Sequence, residues 1–419
     1  MTVFFNVLPP AEALQLLLDR VQPQVEVETV STMEALDRVT ATALSAPHPL
    51  PTFRRGTMDG YAVRAADTYG ASGSLPAFLR VVGEVPMGKP ADLTLRPGEA
   101  AIIHTGGQLP ETADAVVQVE NTQPVGLTTG VGASAGDEIE VVKAVAVGEN
   151  VIQIGEDVRL GDQLLPAGHW LRPQDLGALL AMGVVKVPVA RKPLVALIST
   201  GDEVVSPEQE IGPGQVRDIN SFTTAAQTLR AGGEPLIYGI IPDDLDALRA
   251  AASRAMDESD IMVFSAGSSV SVRDATAQVI GELGEPGILF HGVAVRPGKP
   301  TIGAIVDGKL AFGLPGNPVS AMNLFDLMVV PLIHRLLGCH KPPPRCVVRA
   351  RVARNVPATP GREDRVAARL VERDGELWAE PVFGKSNLIY TLVRADGTFV
   401  ISLDAAGVTA GEWVKVRLF

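Results

Sequence analysis

The sequence predicts a multidomain protein of the α/β plus β class, with a central α/β domain between β-rich segments. At 419 residues, the chain is longer than one hydrophobic core usually supports. Residues 191–338 alternate unbroken apolar runs with amphipathic helical patterns, which is typical of a parallel sheet covered on both faces. Residues 58–151 and 345–419 instead carry short β-type runs separated by turn residues, which predict two β domains.

Composition argues against several classes of function. The 36 basic and 48 acidic residues give a net charge of −12, so we expect no nucleic-acid surface. Cys339 and Cys346 form no CxxC pair, and this cysteine usage fits a reducing cytoplasm. The six histidines show no zinc-binding spacing. The N-terminus lacks the basic region of a signal peptide, and no run of 18 apolar residues occurs, so we expect no membrane segment.

The elements follow in order along the chain. The first 47 residues predict a helix after the paired prolines, a short extended stretch and a second helix from about Ser31 to Ala43. Residues 171–183 predict a helix with Pro173 in its first turn and Gly183 at its end. In the central domain, PLVALIS, EPLIYGII, DIMVFS and KLAFGL read as strands, each followed by a helix.

Polar and small residues follow each of these four strands. Since ligands of open α/β sheets bind at the carboxyl ends of the strands, we expect these residues to meet at one edge. In chain order they are Thr200, Gly201, Asp202 and Glu203; Pro242, Asp243 and Asp244; the loop 266–271 with Asp274; and Pro315, Gly316, Asn317 and Pro318.

Two interpretations of this edge remain open from the residues alone. In the first, the residues are ordinary helix caps, with Asn317 at an N-cap, Pro318 at N1 and an aspartate capping the next helix. In the second, helix N-termini bind a phosphate-like anion and the carboxylates hold Mg²⁺ that bridges to it. Arg296 and Lys299 would then complete the anion site.

Several motifs together resemble one known family. They are PLPTFRRGTMDGYAVRAADT, IIHTGGQLPETADAVVQVENT, GEDVRLGDQLLPAGHW, VALISTGDEVV, VRPGKP and GLPGNPVSA. In this order they are similar to MoeA, the molybdopterin molybdenumtransferases, and to the E domain of gephyrin. The match is collinear from about residue 8 to the C-terminus.

The resemblance implies an elongated homodimer with four domains per chain, for which cysteine usage suggests a cytoplasmic location. Residues 1–47 and 152–183 would form an elongated first domain, 48–151 an inserted β domain, 184–338 a MogA-like molybdopterin-binding α/β domain and 345–419 a C-terminal β domain. It further implies insertion of molybdate into adenylylated molybdopterin with Mg²⁺-dependent release of AMP. Other cofactor-biosynthesis proteins or apo-molybdoenzymes are the further partners it suggests.

Site residues follow from motif position in the same family. The resemblance implies that Asp59 and Thr105 reach the cleft of a neighbouring subunit. The implied catalytic residues are Asp59, Thr105, Asp157, Glu203, Asp243 and Asp274, of which Glu203, Asp243 and Asp274 would bind the metal. The implied substrate-binding residues are Ser269, Arg296, Lys299, Pro315, Gly316, Asn317 and Pro318.

The chain departs from the family pattern at several positions. The family's SGGVSVG loop is SAGSSVS here, and Ile152 and Gly292 stand where basic residues are usual. These changes indicate a divergent member that keeps the complete acid set. A non-catalytic paralogue that binds pterin or a partner protein, and a pterin adenylyltransferase, are the alternative hypotheses.

Overall fold

The computed structural model describes residues 7–23, 25–125, 133–266 and 270–419, and of residues 266 and 270–273 it describes the backbone alone. The chain divides into two compact units. The larger comprises Met1–Thr42, Ala167–Gly177 and Val185–Phe419, and the smaller comprises Ala43–Pro166 and Ala178–Val184.

Helices are short in most of the described chain. The α-helices are α1 (Pro10–Leu18), α2 (Pro173–Ala181), α3 (Asn220–Arg230), α4 (Leu245–Glu258), α5 (Val270–Glu282), α6 (Pro318–Leu324), α7 (Val330–Leu336) and α8 (Tyr390–Val393). Single 3₁₀ turns occupy Ala65–Thr68 and Val119–Asn121, and a π-helical turn occupies Phe325–Val329.

Strands form the larger part of the regular structure. Those before the central domain are β1 (Val27–Ser31), β2 (Leu44–Ser45), β3 (Arg55–Gly56), β4 (Gly60–Val63), β5 (Ala77–Glu84), β6 (Glu99–Ile103), β7 (Ala115–Gln118), β8 (Thr122–Pro124), β9 (Glu138–Val141), β10 (Val151–Ile152), β11 (Gln163–Leu165) and β12 (Lys186–Ala190). Those of the central domain are β13 (Leu194–Thr200), β14 (Val204–Val205), β15 (Val216–Arg217), β16 (Glu234–Ile241), β17 (Ile261–Ala266), β18 (Pro286–His291), β19 (Val295–Arg296), β20 (Ile302–Val306) and β21 (Lys309–Pro315). The last are β22 (Val347–Val352), β23 (Val356–Pro357), β24 (Glu363–Arg373), β25 (Glu376–Pro381), β26 (Gly397–Ile401), β27 (Gly407–Val408) and β28 (Trp413–Leu418).

The smaller unit is built on a six-stranded sheet in the order β7-β4-β6-β5-β9-β8. Strand β4 pairs antiparallel with both β6 and β7, and all four of its residues are buried. Two cores lie against this sheet, since Tyr61 and Val63 belong to one apolar cluster and Ala62 to another. The β domain that the fold class includes is therefore present in this unit, while its predicted bounds of 48–151 stay a prediction.

The larger unit contains the predicted α/β sheet, in the order β16-β13-β17-β21-β20-β18. Strands β16, β13, β17 and β21 run parallel, as their apolar patterns predict. Strands β20 and β18 add an antiparallel edge, so the sheet is mixed rather than wholly parallel. The β20–β21 hairpin turns at Asp307 and Gly308, whose φ angles of 49° and 86° suit a type I′ turn.

Side chains of the central strands alternate between two cores. Val195 and Leu197 of β13 pack in the cluster that includes Leu324 of α6. Their neighbours Ala196 and Ile198 point to the other face and share a cluster with residues of α4 and α5. The sheet is thus covered by helices on both faces, which is why its strands read as unbroken apolar runs.

The helix after β21 extends over Pro318–Leu336 through α6, the π-helical turn and α7. By length and composition alone it would suffice to cross a membrane, but 67% of it is buried inside the protein. Its residues Leu324, Phe325 and Met328 are fully buried. It is the central core helix of the larger unit.

The C-terminal segment forms a closed barrel. Strands β24, β25, β22, β28 and β26 pair in that order, and β26 pairs again with β24. Strand β19, which carries Arg296, joins this sheet through a parallel pairing with β24. The prediction of a small C-terminal β domain is correct, and the barrel is hydrogen-bonded to a segment of the α/β domain.

The second predicted helix, from Ser31 to Ala43, is wrong. Ser31 ends strand β1, and Ser31 and Glu34 form a capping box in which each side chain accepts from the other's backbone N–H. This box starts a single turn that ends at Asp37, which has a φ of 58°. The left-handed backbone at Asp37 stops the helix before it can propagate.

Candidate active site

The carboxyl ends of the parallel strands meet at one edge of the central sheet. Thr200 of β13 lies opposite Ile241 of β16, and Ala266 of β17 lies opposite Pro315 of β21. The residues that follow these strands are therefore brought together in the larger unit, as the strand pattern predicts. This edge is the candidate active site.

Three acids gather after β13 and β16. The backbone N–H of Asp243 donates to Oδ1 of Asp202 at 3.3 Å, and Oδ1 of Asp243 is buried without a hydrogen-bond partner. Burial raises the pKa of Asp243, and the carboxylates of Asp202 and Glu203 raise it further. Gly201 has a φ of 138°, and a Cβ there would lie 2.7 Å from Oε2 of Glu203. Because L side chains rarely adopt this φ, the turn before Glu203 needs glycine.

The third proposed metal ligand, Asp274, and the Ser-rich loop 266–271 have no described contacts with these acids. Asp274 lies exposed on α5, while Ser269 lies outside the described residues. Within the described ranges, no group of three or more His, Cys, Asp or Glu side chains could hold a metal ion by itself. The assignment of Glu203, Asp243 and Asp274 as a metal-binding set remains a prediction.

Asn220, at the start of α3, connects two strand ends. Its Nδ2 atom donates to Oγ of Ser265 at 2.7 Å and to the carbonyl oxygen of Gly316 at 2.8 Å. Its Oδ1 atom is buried and has no partner. Asn220 therefore fixes the corner after β21 against the end of β17, and it leaves a free acceptor beside that corner.

Asn317 and Pro318 stand at the predicted N-cap and first-turn positions of α6, but the side chain of Asn317 makes no capping hydrogen bond. Its Nδ2 atom donates instead to Oγ of Ser386 at 3.0 Å. The carbonyl oxygen of Ser386 accepts from the backbone N–H of Val319 and satisfies the helix start. Pro318 occupies the first helical turn, as expected.

The segment around Arg296 approaches α6 closely. Gly298 has a φ of 128°, and a Cβ there would lie 1.8 Å from Cδ2 of Leu324. Only glycine lets this backbone pack against the helix. Arg296 forms an ion pair with Asp364 at 2.7 Å, where the carboxylate is 2% and the guanidinium 49% exposed. Lys299 is exposed, so both predicted cations are present, although the charge of Arg296 is partly neutralised.

A cavity of about 940 Å³ lies beside this corner. It is bounded on one side by Arg296 and Asn317 and on the other by residues of the barrel. The barrel supplies two further cations, Arg365 and Lys385, and the hydroxyl of Ser386. Sequence reasoning missed Arg365 and Ser386; the segment GKSNLIY, which contains Ser386, matches the family's C-terminal Ser/Gly loop only loosely.

The smaller unit contains three of the predicted catalytic residues. Oδ1 of Asp59 accepts from the backbone N–H of Thr105 at 2.7 Å and from its hydroxyl at 3.2 Å. These hydrogen bonds lower the pKa of Asp59, with a smaller contribution from His104. His104 also contacts Glu84 through Nε2 at 2.9 Å. Asp157 is exposed on the same unit.

Comparisons with known proteins cover almost all of the chain. Family models match residues 8–183 (MoeA N-terminal region, domains I and II), 196–335 (probable molybdopterin binding domain) and 349–419 (MoeA C-terminal region, domain IV). The molybdopterin molybdenumtransferase of Bacillus subtilis is 34% identical over 95% of this chain and 91% of the relative. The chain belongs to the MoeA family.

Further MoeA relatives agree with this assignment. The molybdopterin molybdenumtransferase of Nostoc is 34% identical over 78% of this chain and 73% of the relative. The crystal structure of a molybdopterin biosynthesis MoeA protein from Pyrococcus horikoshii superposes with a TM-score of 0.84, at 31% identity over 99% of this chain and 100% of that one. The family resemblance and the fold class predicted from the sequence are both confirmed.

Proposed function

We propose that this chain is a molybdopterin molybdenumtransferase that inserts molybdate into adenylylated molybdopterin and releases AMP during molybdenum cofactor biosynthesis. The observation that carries the proposal is the edge where Asp202, Glu203 and Asp243 meet, on a chain that matches enzymes of this name over most of its length. The alternatives of a non-catalytic paralogue and of an adenylyltransferase are not favoured.

Mg²⁺ fits the donors at this edge as a companion of substrate phosphate. Oδ1 of Asp243 is a buried carboxylate oxygen that lacks a partner, with Glu203 close by. Protein sites for Mg²⁺ commonly use one or two carboxylates together with phosphate oxygens and water. We assign Glu203 and Asp243 as the holding residues and Asp274 as a third ligand. When bound, Mg²⁺ would neutralise charge on the pyrophosphate and on the departing AMP.

The residues around the neighbouring corner support binding of an oxyanion. Because Asn317 donates to Oγ of Ser386, the hydroxyl hydrogen of Ser386 is left to donate to a ligand. Lys385 supplies positive charge to the same cavity, which Arg296 and Arg365 also line while paired with Asp364 and Glu363. Asn220 holds Gly316 in place, so the wall formed by residues 315–318 is set before substrate arrives. We assign Ser269 and Lys299 to the same anion site.

We further propose that the enzyme is a cytoplasmic homodimer in which Asp59 and Thr105 serve the site of the second copy, and we assign Asp157 to the set of catalytic acids. Two hydrogen bonds from Thr105 lower the pKa of Asp59 and hold its carboxylate in place, so Asp59 presents an oriented negative charge. Other cofactor-biosynthesis proteins or apo-molybdoenzymes are the partners we expect for product transfer.

Purified protein tests the proposal directly. Given adenylylated molybdopterin, molybdate and Mg²⁺, the protein should release AMP and yield cofactor that restores activity to an apo-molybdoenzyme. Asp243→Asn should reduce both signals by at least about a hundredfold, because the metal loses a charged ligand. Asp257→Asn, an exposed aspartate at the end of α4, is the control and should retain activity. A folded wild-type dimer that gives neither signal would contradict the proposed activity.

A further inference from the structure

A second cavity, of about 810 Å³, has no role in the proposed reaction. Its walls are α3, the helix Pro318–Leu336, the linker before β22, α8 and the end of β28. Its volume lies within the range of small-molecule binding sites. It borders the cavity beside the candidate active site, because both are lined by Asn323, Leu392 and Thr398.

Most of the wall of this cavity is apolar. Trp170, Met322 and Val330 contribute large side chains, and Trp170 meets the ring of His334 edge-on at 5.9 Å between centroids. Burial lowers the pKa of His334 to about 4, so this histidine is neutral at pH 7. The apolar wall suits a flat or aliphatic ligand body.

One end of the cavity holds two arginines on a single carboxylate. Arg345 pairs with Oδ1 of Asp326 and Arg417 with Oδ2. Each guanidinium has five N–H donors, and each uses one of them in this pair. Burial lowers the pKa of both arginines, as expected where solvation of the charge is incomplete. The two arginines and Asp326 together therefore carry one excess positive charge, and each arginine keeps N–H donors that Asp326 does not use.

The other charged side chains that line the cavity are one acid, Asp37, and one base, Arg230. Asp37 accepts a hydrogen bond from Nε1 of Trp170 at 3.1 Å, and Arg230 is exposed, so the two add no net side-chain charge to the cavity. Gln227 donates to the carbonyl oxygen of Met322 at 3.0 Å, while its Oε1 atom is buried without a partner. A ligand with both an acid group and a hydrogen-bond donor would satisfy these groups.

We propose that this cavity binds a small amphipathic anion, a carboxylate or sulfonate with an aromatic or aliphatic body. Its acid group contacts Arg345 and Arg417, and its body packs against Trp170, Met322 and Val330. The proposal rests on this geometry and is independent of the proposed transferase activity. Since the cavity shares a wall with the neighbouring one, such a ligand binds next to the candidate active site.

Two fluorescent probes test the proposal on the full-length protein. The anionic probe is 8-anilinonaphthalene-1-sulfonate and the neutral one is N-phenyl-1-naphthylamine, which lacks the sulfonate. We expect one sulfonate probe per chain, and Arg417→Gln should weaken its binding about tenfold while leaving the neutral probe unchanged. Arg369→Gln, an arginine on the barrel that does not line the cavity, is the control and should change neither.

A second variant separates loss of the site from loss of folding. Thr223→Trp places a large side chain into the cavity from α3 and should abolish binding of both probes, with a thermal transition close to that of the wild type. Sulfonate binding that is unaffected by Arg417→Gln and by Arg345→Gln would overturn the proposal. So would equal losses for both probes in the arginine variants, because the cavity would then not select an anion.

Discussion

Asp243 carries a carboxylate that the folded chain stabilises poorly before substrate binds. Its pKa is raised by burial and by Asp202 and Glu203, so the charged form costs folding free energy at neutral pH. A raised pKa means that the native state favours the protonated form. The free energy of unfolding of the wild type should therefore be highest below the unfolded-state pKa of an aspartate, about 3.9. It should fall as the pH rises from there through the raised pKa of Asp243 in the folded protein.

Asp243→Asn should accordingly increase the free energy of unfolding by about 1 kcal/mol at pH 7 and by less near pH 4. Urea unfolding at a series of pH values measures the difference. Activity should be lost in the same variant, as expected for a residue whose charge serves function at a cost in stability. A stability difference that does not change with pH would contradict the account of this charge.

Asn220 offers a second residue-level prediction. Asn220→Ala should leave the carbonyl of Gly316 and the hydroxyl of Ser265 without their donor and cost about 2–3 kcal/mol of unfolding free energy. Thr223→Ala on the same helix removes only a hydroxyl that bonds within α3, so it should cost much less. Urea unfolding of the two variants measures the contrast, and equal losses would argue against a special role of Asn220.

The sequence was informative about the acids and less so about the residues that position them. Asp243 and Glu203 follow apolar strands, and parallel strands bring their ends to one edge. Asn220 and Ser386 gave no comparable signal, because each acts through a partner distant in sequence. The amide of Asn317 shows the same limit, since local preference predicts a cap and tertiary contact with Ser386 takes its place.

At the scale of elements, the close approach of residues 296–299 to α6 depends on one glycine. Gly298→Ala combines an unfavourable φ with a Cβ that overlaps Leu324, so it should cost more than about 2 kcal/mol of unfolding free energy. Gly177→Ala in α2 has open space around its Cβ and should be neutral or stabilising by up to about 1 kcal/mol. Thermal or urea unfolding of both variants measures the effect.

A double variant locates the cause. If the overlap with Leu324 dominates, Leu324→Ala should recover part of the loss in the Gly298→Ala background, although alone it is destabilising. Additive losses would instead place the cost in the backbone conformation of residue 298.

Helices and strands whose apolar residues repeat at a regular spacing could be predicted from the sequence, whereas irregular elements could not. The four parallel strands and α3, α4 and α5 follow from apolar pattern alone. The π-helical turn at Phe325–Val329 is next to Pro331, which has no N–H to donate, and no pattern of apolar residues indicates such a turn. The failed helix after Ser31 depended on the conformation of Asp37, which composition does not specify.

At the scale of the whole molecule, the proposed homodimer can be tested by mixing two inactive variants, which tests what no single variant can. If Asp59 of one copy serves the site that contains Asp243 of the other, Asp59→Ala and Asp243→Ala should each be inactive as pure dimers. A mixed dimer would keep one site with both aspartates. After unfolding and refolding of an equal mixture, half of the dimers are mixed, so activity should return to about a quarter of the wild-type value.

The control for this complementation is a mixture of Asp243→Ala with Glu203→Ala. Both residues follow strands of the same sheet in one chain, so each site of their mixed dimer lacks one of the two acids and should stay inactive. AMP release from both refolded mixtures measures the contrast, and sedimentation reports whether dimers of the 44.0 kDa chain form. If the Asp59 mixture stays inactive although the dimers form, Asp59 acts within its own chain.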